Sequence, residues 1–340
     1  MRLIQFEPPR LGHCLGIVTG QHVLNVTEQQ PKLRSISTAF RAARRKGQRL
    51  DRFLRTYLES PSQPAPLDYR DLLTQGQVLA PAIEEPGARV LVSGTGLTHL
   101  GSVQQRDQMH KSVTPQGPKS DSRRMFEMGL QGGKPAPGQC GVAPEWFYKG
   151  DGRSLRGPGQ PLDIPAFAPD GGEEPEIVGI YMIDNDGTPY RVGFTQGNEW
   201  SDHVTENVNY LYLAPSKLRT CAIGPEVVTD LSFDDICGSC RVLRDGQVLY
   251  DSGELRTGER NMCHNLANLE HHLFKFPQHR LPGDMHVHFL GTSKLSIQQR
   301  AWKYQTGDLI QVSFEGLGPP LQNPVQRCEA SDTPVTVESA

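Results

Sequence analysis

A strong charge bias is the first thing this sequence lacks: 35 Lys and Arg face 38 Asp and Glu, a formal net charge of −3 over 340 residues. That balance leaves no chain-wide footprint for nucleic acid. The one basic run, Arg41-Ala42-Ala43-Arg44-Arg45-Lys46, is short and reads as the solvated face of a helix. Long apolar runs are missing as well, at the N-terminus and throughout, so neither a signal peptide nor a membrane span is expected. The seven cysteines are odd in number and scattered from Cys14 to Cys328; they make no disulfide framework, and a reduced, cytoplasmic setting is the expectation. The single CxxC, Cys237-Gly238-Ser239-Cys240, has no second pair to complete a zinc site and leads into a hairpin-like stretch with Asp245-Gly246 as its turn. Two small, buried or half-buried thiols are expected there. Gly94-Thr95-Gly96 lacks the third glycine of a dinucleotide fingerprint, His99 standing in its place, and no phosphate-cradling loop occurs. No internal repeat of 20 to 50 residues is visible.

What is present is turn chemistry and short strands. With 35 glycines, 27 prolines and 36% hydrophobic residues, the chain reads as an α+β fold, mostly β with a few helices. Residues 16–26 alternate as a strand pair turning at Gly20-Gln21, and residues 37–58 carry Phe40, Leu50, Phe53, Leu54 and Tyr57 at helical spacing. A Pro- and Ser-rich stretch at 60–66 reads as a stiff linker. This suggests a smaller N-terminal α/β domain (1–85), a main domain (86–328) and a flexible tail (329–340). Within the main domain, strands are expected at 89–93, 177–182, 190–194, 285–289 and 309–314, with Asp186-Gly187 turning between the second and third. Helices are expected at 98–110 and 262–276, and residues 115–141, rich in Gly, Pro, Ser and Lys, as an irregular loop.

Two acidic stretches carry the chemistry: Glu174-Pro175-Glu176, and then Gly197-Asn198-Glu199-Trp200-Ser201-Asp202-His203. Carboxylates at i and i+2 of an extended strand share a face, and a third from the next strand can close a triangle of oxygen ligands. Such a triangle suits a hard divalent cation that keeps positions open for substrate. A solvated acidic turn is the competing reading of Glu173-Glu174-Pro175-Glu176.

The order of the surrounding motifs favours the metal. Trp146-Phe147-Tyr148-Lys149-Gly150-Asp151-Gly152 is followed by Ser154-Leu155-Arg156-Gly157-Pro158-Gly159, Ile164-Pro165, the acidic strand and the Gly-Asn-Glu-x-Ser turn. Phe289-Leu290-Gly291-Thr292-Ser293, Thr306-Gly307-Asp308 and Glu315-Gly316-Leu317-Gly318 come later. In this order, over roughly residues 89–325, the chain resembles the fumarylacetoacetate hydrolase superfamily. The resemblance implies a mixed β-roll catalytic domain, pairing into a homodimer or higher homo-oligomer, and Mg²⁺, with Mn²⁺ or Ca²⁺ as alternatives, on Glu174, Glu176 and Glu199. The family usually carries aspartate at the third position, so Asp202 stays open as an alternative ligand. Lys149 matches the family's active-site lysine.

The segment Asn207-Val208-Asn209-Tyr210-Leu211-Tyr212-Leu213-Ala214-Pro215-Ser216-Lys217, with Cys221 and Gly224-Pro225 after it, is similar to the branch that dehydrates 2-keto-3-deoxy sugar acids. That branch implies conversion of a 2-keto-3-deoxy-pentonate, of the arabinonate or xylonate type, to 2,5-dioxopentanoate. Lys149, His99 and Lys217 are then the candidate catalytic residues, and Arg106, His110, Ser201, Asp202 and Thr292 the candidate substrate contacts. Lys149 is open as base or as a fixed cation, and His99 as a proton donor or a histidine satisfied by its own turn. A C–C hydrolase of a 2,4-diketo acid, and a non-catalytic sugar-acid-binding protein, are the other functions considered.

Overall fold

The computed structural model describes residues 1–84, 86–101, 120–297, 299–329 and 334–340. Among them, two sheets and a set of short helices give the mostly β, α+β architecture expected. The larger sheet runs Leu67–Asp68, His22–Asn25, Cys14–Thr19, Arg2–Phe6, Val227–Val228, Pro189–Asn198, Pro175–Ile183, Met285–Phe289, Val90–Gly94 and Phe147–Asp151. The smaller runs Gln247–Asp251, Ile236–Arg244, Leu309–Phe314, Leu321–Arg327 and Leu162–Ile164. Arg2–Phe6 joins the first strands to the rest, Arg2 pairing with Val228 and Leu3 with Val227.

Pro175–Ile183 is buried along its whole length, as its apolar run Ile177-Val178-Gly179-Ile180-Tyr181-Met182-Ile183 requires of a strand covered on both faces. One face carries Val178, Ile180 and Met182 into a core shared with the helices Ile36–Arg45 and Leu50–Leu58. The other carries Ile177 into a core between the sheets with Phe194, Trp200, Val242 and Val312. Ser35 caps the first of those helices in a capping box with Thr38, and Ile36, Ala39, Phe40 and Ala43 turn inward, each large side chain contributing about 2 kcal/mol of burial.

Register positions the site. Pro175–Ile183 pairs antiparallel with Pro189–Asn198 and with Met285–Phe289, which lies parallel to Val90–Gly94; Phe147–Asp151 closes the edge. The start of Pro175–Ile183 and of Phe147–Asp151, and the ends of the other three, therefore meet at one end of the sheet.

Three expectations change. Residues 37–58 form two helices rather than one. Residues 115–119 lie outside the described residues, but within 120–141 a helix, Asp121–Gly132, replaces the loop; Ser120 Oγ caps it at 3.1 Å from Arg123 N. Ser122, Phe126 and Gly129 are its inward stripe, and the Gly- and Pro-rich text around it masked that spacing. The 262–276 helix is shorter, Leu266–Phe274, because Asn265 caps it through Asn268 N. The expected helix at 98–110 lies almost wholly outside the described residues. Cys237 and Cys240 sit on Ile236–Arg244, half-buried and buried, and all seven cysteines are free. No helix among the described residues is long and apolar enough to cross a membrane.

Candidate active site

Glu176 stands second in Pro175–Ile183, Glu174 just before it, and Glu199 just after Asn198 on the neighbouring strand. Two hydrogen bonds lock this corner: Glu199 N donates to Glu174 O at 2.9 Å, and Glu174 N to Asn198 Oδ1 at 3.0 Å. One oxygen from each of Glu174, Glu176 and Glu199 lies within 4.8 Å of the others, and all three are buried. Gly291 N donates to Glu176 Oε2 at 2.7 Å. Gly291 has φ +95°, and a Cβ there would stand 2.0 Å from Thr98 Oγ1, so only glycine brings this N–H to the carboxylate.

Two buried ammonium groups face the triangle. Lys149 Nζ donates to Glu199 Oε1 at 2.7 Å and to the carbonyls of Trp200 at 2.8 Å and Lys217 at 3.0 Å. Lys217 Nζ donates to Glu174 Oε1 at 2.6 Å, Glu199 Oε2 at 2.9 Å and Ser201 Oγ at 3.0 Å, and lies 4.8 Å from the centre of the Phe147 ring. Ser201 Oγ itself bonds Glu199 O and Oε1, both at 3.0 Å. His203 Nε2 lies 2.9 Å from Glu174 Oε1.

These contacts divide the carboxylates. For Glu174, burial pushes the pKa up, but the Lys217 charge and the His203 contact outweigh it and hold the group well below the usual range. Burial, then the charges of Glu199 and Glu174, push Glu176 well above it. Glu199 is raised by burial and by Glu174 against the pull of Lys149 and Lys217. Three carboxylates against two ammonium groups leave one excess negative charge in a buried space. Convergent hard oxygen donors with that excess fit a divalent cation such as Mg²⁺, and Glu174, Glu176 and Glu199 are the residues that could hold it.

The remaining candidates fall as follows. Asp202 Oδ2 is 3.1 Å from Arg219 Nη2 and Oδ1 accepts from Thr205 N at 3.0 Å, so both its oxygens are engaged there, and the oxygens that converge are those of Glu174, Glu176 and Glu199. Thr292 is buried, its hydroxyl donating to Lys294 O at 3.1 Å. His99 is buried with Nδ1 2.9 Å from Thr98 Oγ1 and Nε2 3.1 Å from Thr257 Oγ1. Burial lowers its pKa to about 3, so the ring is neutral at ordinary pH. Arg106 and His110 lie outside the described residues.

The sequence reading missed several neighbours. His203 falls inside the acidic stretch but was given no role; Gly172 packs so closely on its ring that a Cβ there would stand 2.1 Å from Nδ1. Glu173, next to the first ligand, accepts from Ser296 N at 2.6 Å, Ser296 Oγ at 2.8 Å and Tyr304 OH at 2.5 Å. It ties the segment after Gly291 to the ligand strand. Tyr210 OH donates to Glu145 Oε2 at 2.9 Å, beyond Phe147.

Comparison with known proteins adds two kinds of likeness. No family model matches the chain. It is 29% identical over 180 residues to the "probable 2-keto-3-deoxyxylonate dehydratase" of Haloferax volcanii, covering 52% of this chain and 58% of that protein. The match thus spans little more than half the length of this curated relative. Among solved structures, 2-keto-3-deoxy-D-arabinonate dehydratase complexed with magnesium and 2,5-dioxopentanoate matches with a TM-score of 0.68 at 17% identity, over 97% of this chain and 100% of the other. The 5-carboxymethyl-2-hydroxymuconate delta-isomerase from Mycobacterium smegmatis matches with a TM-score of 0.57 at 19% identity, again over 97% and 100%. At such identities the structures establish a shared fold. The mixed α+β fold expected from the resemblance is borne out, and the likeness to a curated sugar-acid dehydratase agrees with the resemblance read from the sequence.

Proposed function

We propose that this chain is a divalent-metal-dependent hydro-lyase that removes water from a 2-keto-3-deoxy-pentonate, of the arabinonate or xylonate type, to give 2,5-dioxopentanoate. The observation that carries the reading is the buried cluster of three carboxylates and two lysines. Burial and the neighbouring carboxylates hold Glu176 well above the usual range, so the cluster is short of positive charge, which a dication would supply with the carboxylate of a keto acid against it. The relative's name and the fold of the arabinonate dehydratase support the substrate class.

The metal, when bound, supplies positive charge that stabilises an enolate of a chelated 2-keto acid. The chain's own groups divide the other work. Two of the three acceptors of Lys149 are backbone carbonyls, which suits a fixed cation that orients Glu199. Lys217 donates to the side chains of Glu174, Glu199 and Ser201, two of them proposed ligands, so its amine can exchange partners. That fits the group taking the C3 proton once the ammonium has given up its own proton to solvent, with Phe147 against it to exclude water. Ser201, between Lys217 and Glu199, supports the amine's position. Loss of the C3 proton and the C4 hydroxyl leaves a 3,4-alkene. Moving a C5 proton to C3, and the enol proton to C4, yields the terminal aldehyde. His99 has both ring nitrogens against hydroxyls, which supports a holding role beside the Leu290–Gly291 turn, through Thr98, over proton donation.

Within this reading residues 1–85 form the smaller domain, 86–328 the catalytic domain and 329–340 a tail. The enzyme works as a homodimer or larger homo-oligomer in the cytoplasm, a setting supported by seven free cysteines. Incubation with Mg²⁺ and a 2-keto-3-deoxy-pentonate tests it. One aldehyde product, 2,5-dioxopentanoate, is expected, and chelation should stop its formation. Pyruvate or another acid fragment would indicate C–C cleavage, and binding without turnover a sensing protein.

A further inference from the structure

The chain grips each proposed ligand unevenly, one oxygen more than the other. Glu174 Oε1 accepts from Lys217 Nζ at 2.6 Å and lies 2.9 Å from His203 Nε2. Glu176 Oε2 accepts from Gly291 N at 2.7 Å. Glu199 Oε1 accepts from Lys149 Nζ at 2.7 Å and from Ser201 Oγ at 3.0 Å, while Oε2 accepts from Lys217 Nζ at 2.9 Å. Among the described residues, Glu174 Oε2 and Glu176 Oε1 accept no hydrogen bond. Each carboxylate is therefore left with one oxygen to turn to a cation.

His203 has no other polar work to do. Its ring is buried and Nδ1 has no hydrogen-bond partner among the described residues, so the ring's one polar contact is Glu174. An ionised carboxylate only accepts, so Nε2 carries the hydrogen. Gly172 packs on the ring, where a Cβ would meet Cε1 at 2.5 Å, and its carbonyl is tied to Ser201 N at 3.0 Å. Lys217, as the group taking a proton, changes partners during turnover. The clamped imidazole does not, and it is the lasting hold on Glu174 Oε1.

This hold matters to the choice of ion. Mg²⁺ takes six oxygens at roughly 2.0–2.1 Å, whereas Ca²⁺ takes about six to eight at a longer distance and commonly grips a carboxylate through both oxygens. Three single carboxylate oxygens, two oxygens of a chelating keto acid and one water complete the smaller ion's shell. Two-oxygen ligation by Glu174 would have to break the bonds from His203 and Lys217. We infer that His203 is a positioning residue which, by holding Oε1, presents Glu174 to the cation through Oε2 alone and so biases the centre towards Mg²⁺ and against Ca²⁺. This rests on the metal-site reading above and adds to it a residue and a discrimination between ions.

Calorimetry with Mg²⁺ and with Ca²⁺, no substrate present, tests it on the unmodified protein, His203→Phe and His203→Gln. The ratio of Mg²⁺ to Ca²⁺ affinity should fall about tenfold in His203→Phe, the worth of one hydrogen bond to a charged group, and return in His203→Gln, whose amide can still donate. An unchanged ratio in His203→Phe, including an equal loss of both ions, would overturn the inference with the metal reading intact, as would a glutamine variant that behaves like the phenylalanine one. If His203→Phe shows no cooperative urea unfolding, infrared difference spectra of the unmodified protein decide. On Mg²⁺ binding, the splitting between the two carboxylate stretches should be the wide one of one-oxygen ligation; the narrow splitting of two-oxygen ligation would overturn the inference. An unmodified protein that binds neither ion overturns the metal reading and the inference with it.

Discussion

Lys149 and Lys217 bring the same charge to the same carboxylates, and their other partners set them apart. Lys149 is fixed to two carbonyls of the fold, and Lys217 to side chains that a metal and substrate would engage. Lys149→Met should therefore act on stability: it removes one of the two ammonium partners of the buried Glu199 and the donor to the carbonyls of Trp200 and Lys217, and a loss of about 3 kcal/mol is expected in urea unfolding. Lys217→Met should act on turnover, lowering it by about a hundredfold or more with Mg²⁺ binding retained. A reversal of the two phenotypes would exchange their roles. The three carboxylates were legible because strand spacing puts Glu174 and Glu176 on one side with a carboxylate one strand later to close the triangle, and the motif order behind the resemblance favoured that over a solvated acidic turn. His203 was in view but not interpretable, since no spacing says that its ring turns back to Glu174, 29 positions earlier. The grip of Glu173 on Ser296, 123 positions away, has no local signature at all.

At the scale of elements, the segment from Ser201 to Lys217 matters most, because it carries Ser201, His203 and Lys217 to the carboxylate triangle. Asp202 starts its first helix, His203–Val208, by accepting from Thr205 N, and pairs with the buried Arg219, whose Nη1 donates to the carbonyls of Asp170 and Ser201. Asp202→Ala removes cap and counter-charge together, and its urea midpoint should fall furthest. Asp202→Asn keeps an acceptor for the cap and should recover about 1 kcal/mol of the loss. Equal midpoints for the two variants would mean that the cap contributes nothing. Strands were legible here wherever apolar runs met turn residues, as at Asp186-Gly187. The helix Asp121–Gly132 was not, because its inward stripe is one serine, one phenylalanine and one glycine, and Gly129 earns its place only by packing on Cys263 and His264.

For the whole molecule, the two sheets and their cores dictate the response to acid. Burial lowers His99 and His288 to about 3, and His264 and His286 to about 4. Unfolded, each takes a proton as the pH falls through about 6.5; folded, each resists until pH 3–4. The unfolded state thus binds more protons across that window, and stability present above pH 6.5 is lost as pH drops towards 4. One such group costs about 2 kcal/mol at pH 5. The urea midpoint should hold from pH 8 to 7 and then fall, with a shallower fall in His288→Gln. Identical pH profiles for the two proteins would remove His288 from the explanation.

The central claim is that Glu174, Glu176 and Glu199 form a single-metal centre on which dehydration depends. Titration with Mn²⁺ followed by electron paramagnetic resonance, with turnover of a 2-keto-3-deoxy-pentonate measured on the same samples, tests it most directly. One bound ion per chain is expected in the unmodified protein. Glu176→Gln should weaken binding by more than about tenfold and lose turnover in step. An unmodified protein that binds no ion at millimolar Mn²⁺, or a Glu176→Gln protein that turns over like the unmodified one, would contradict the claim.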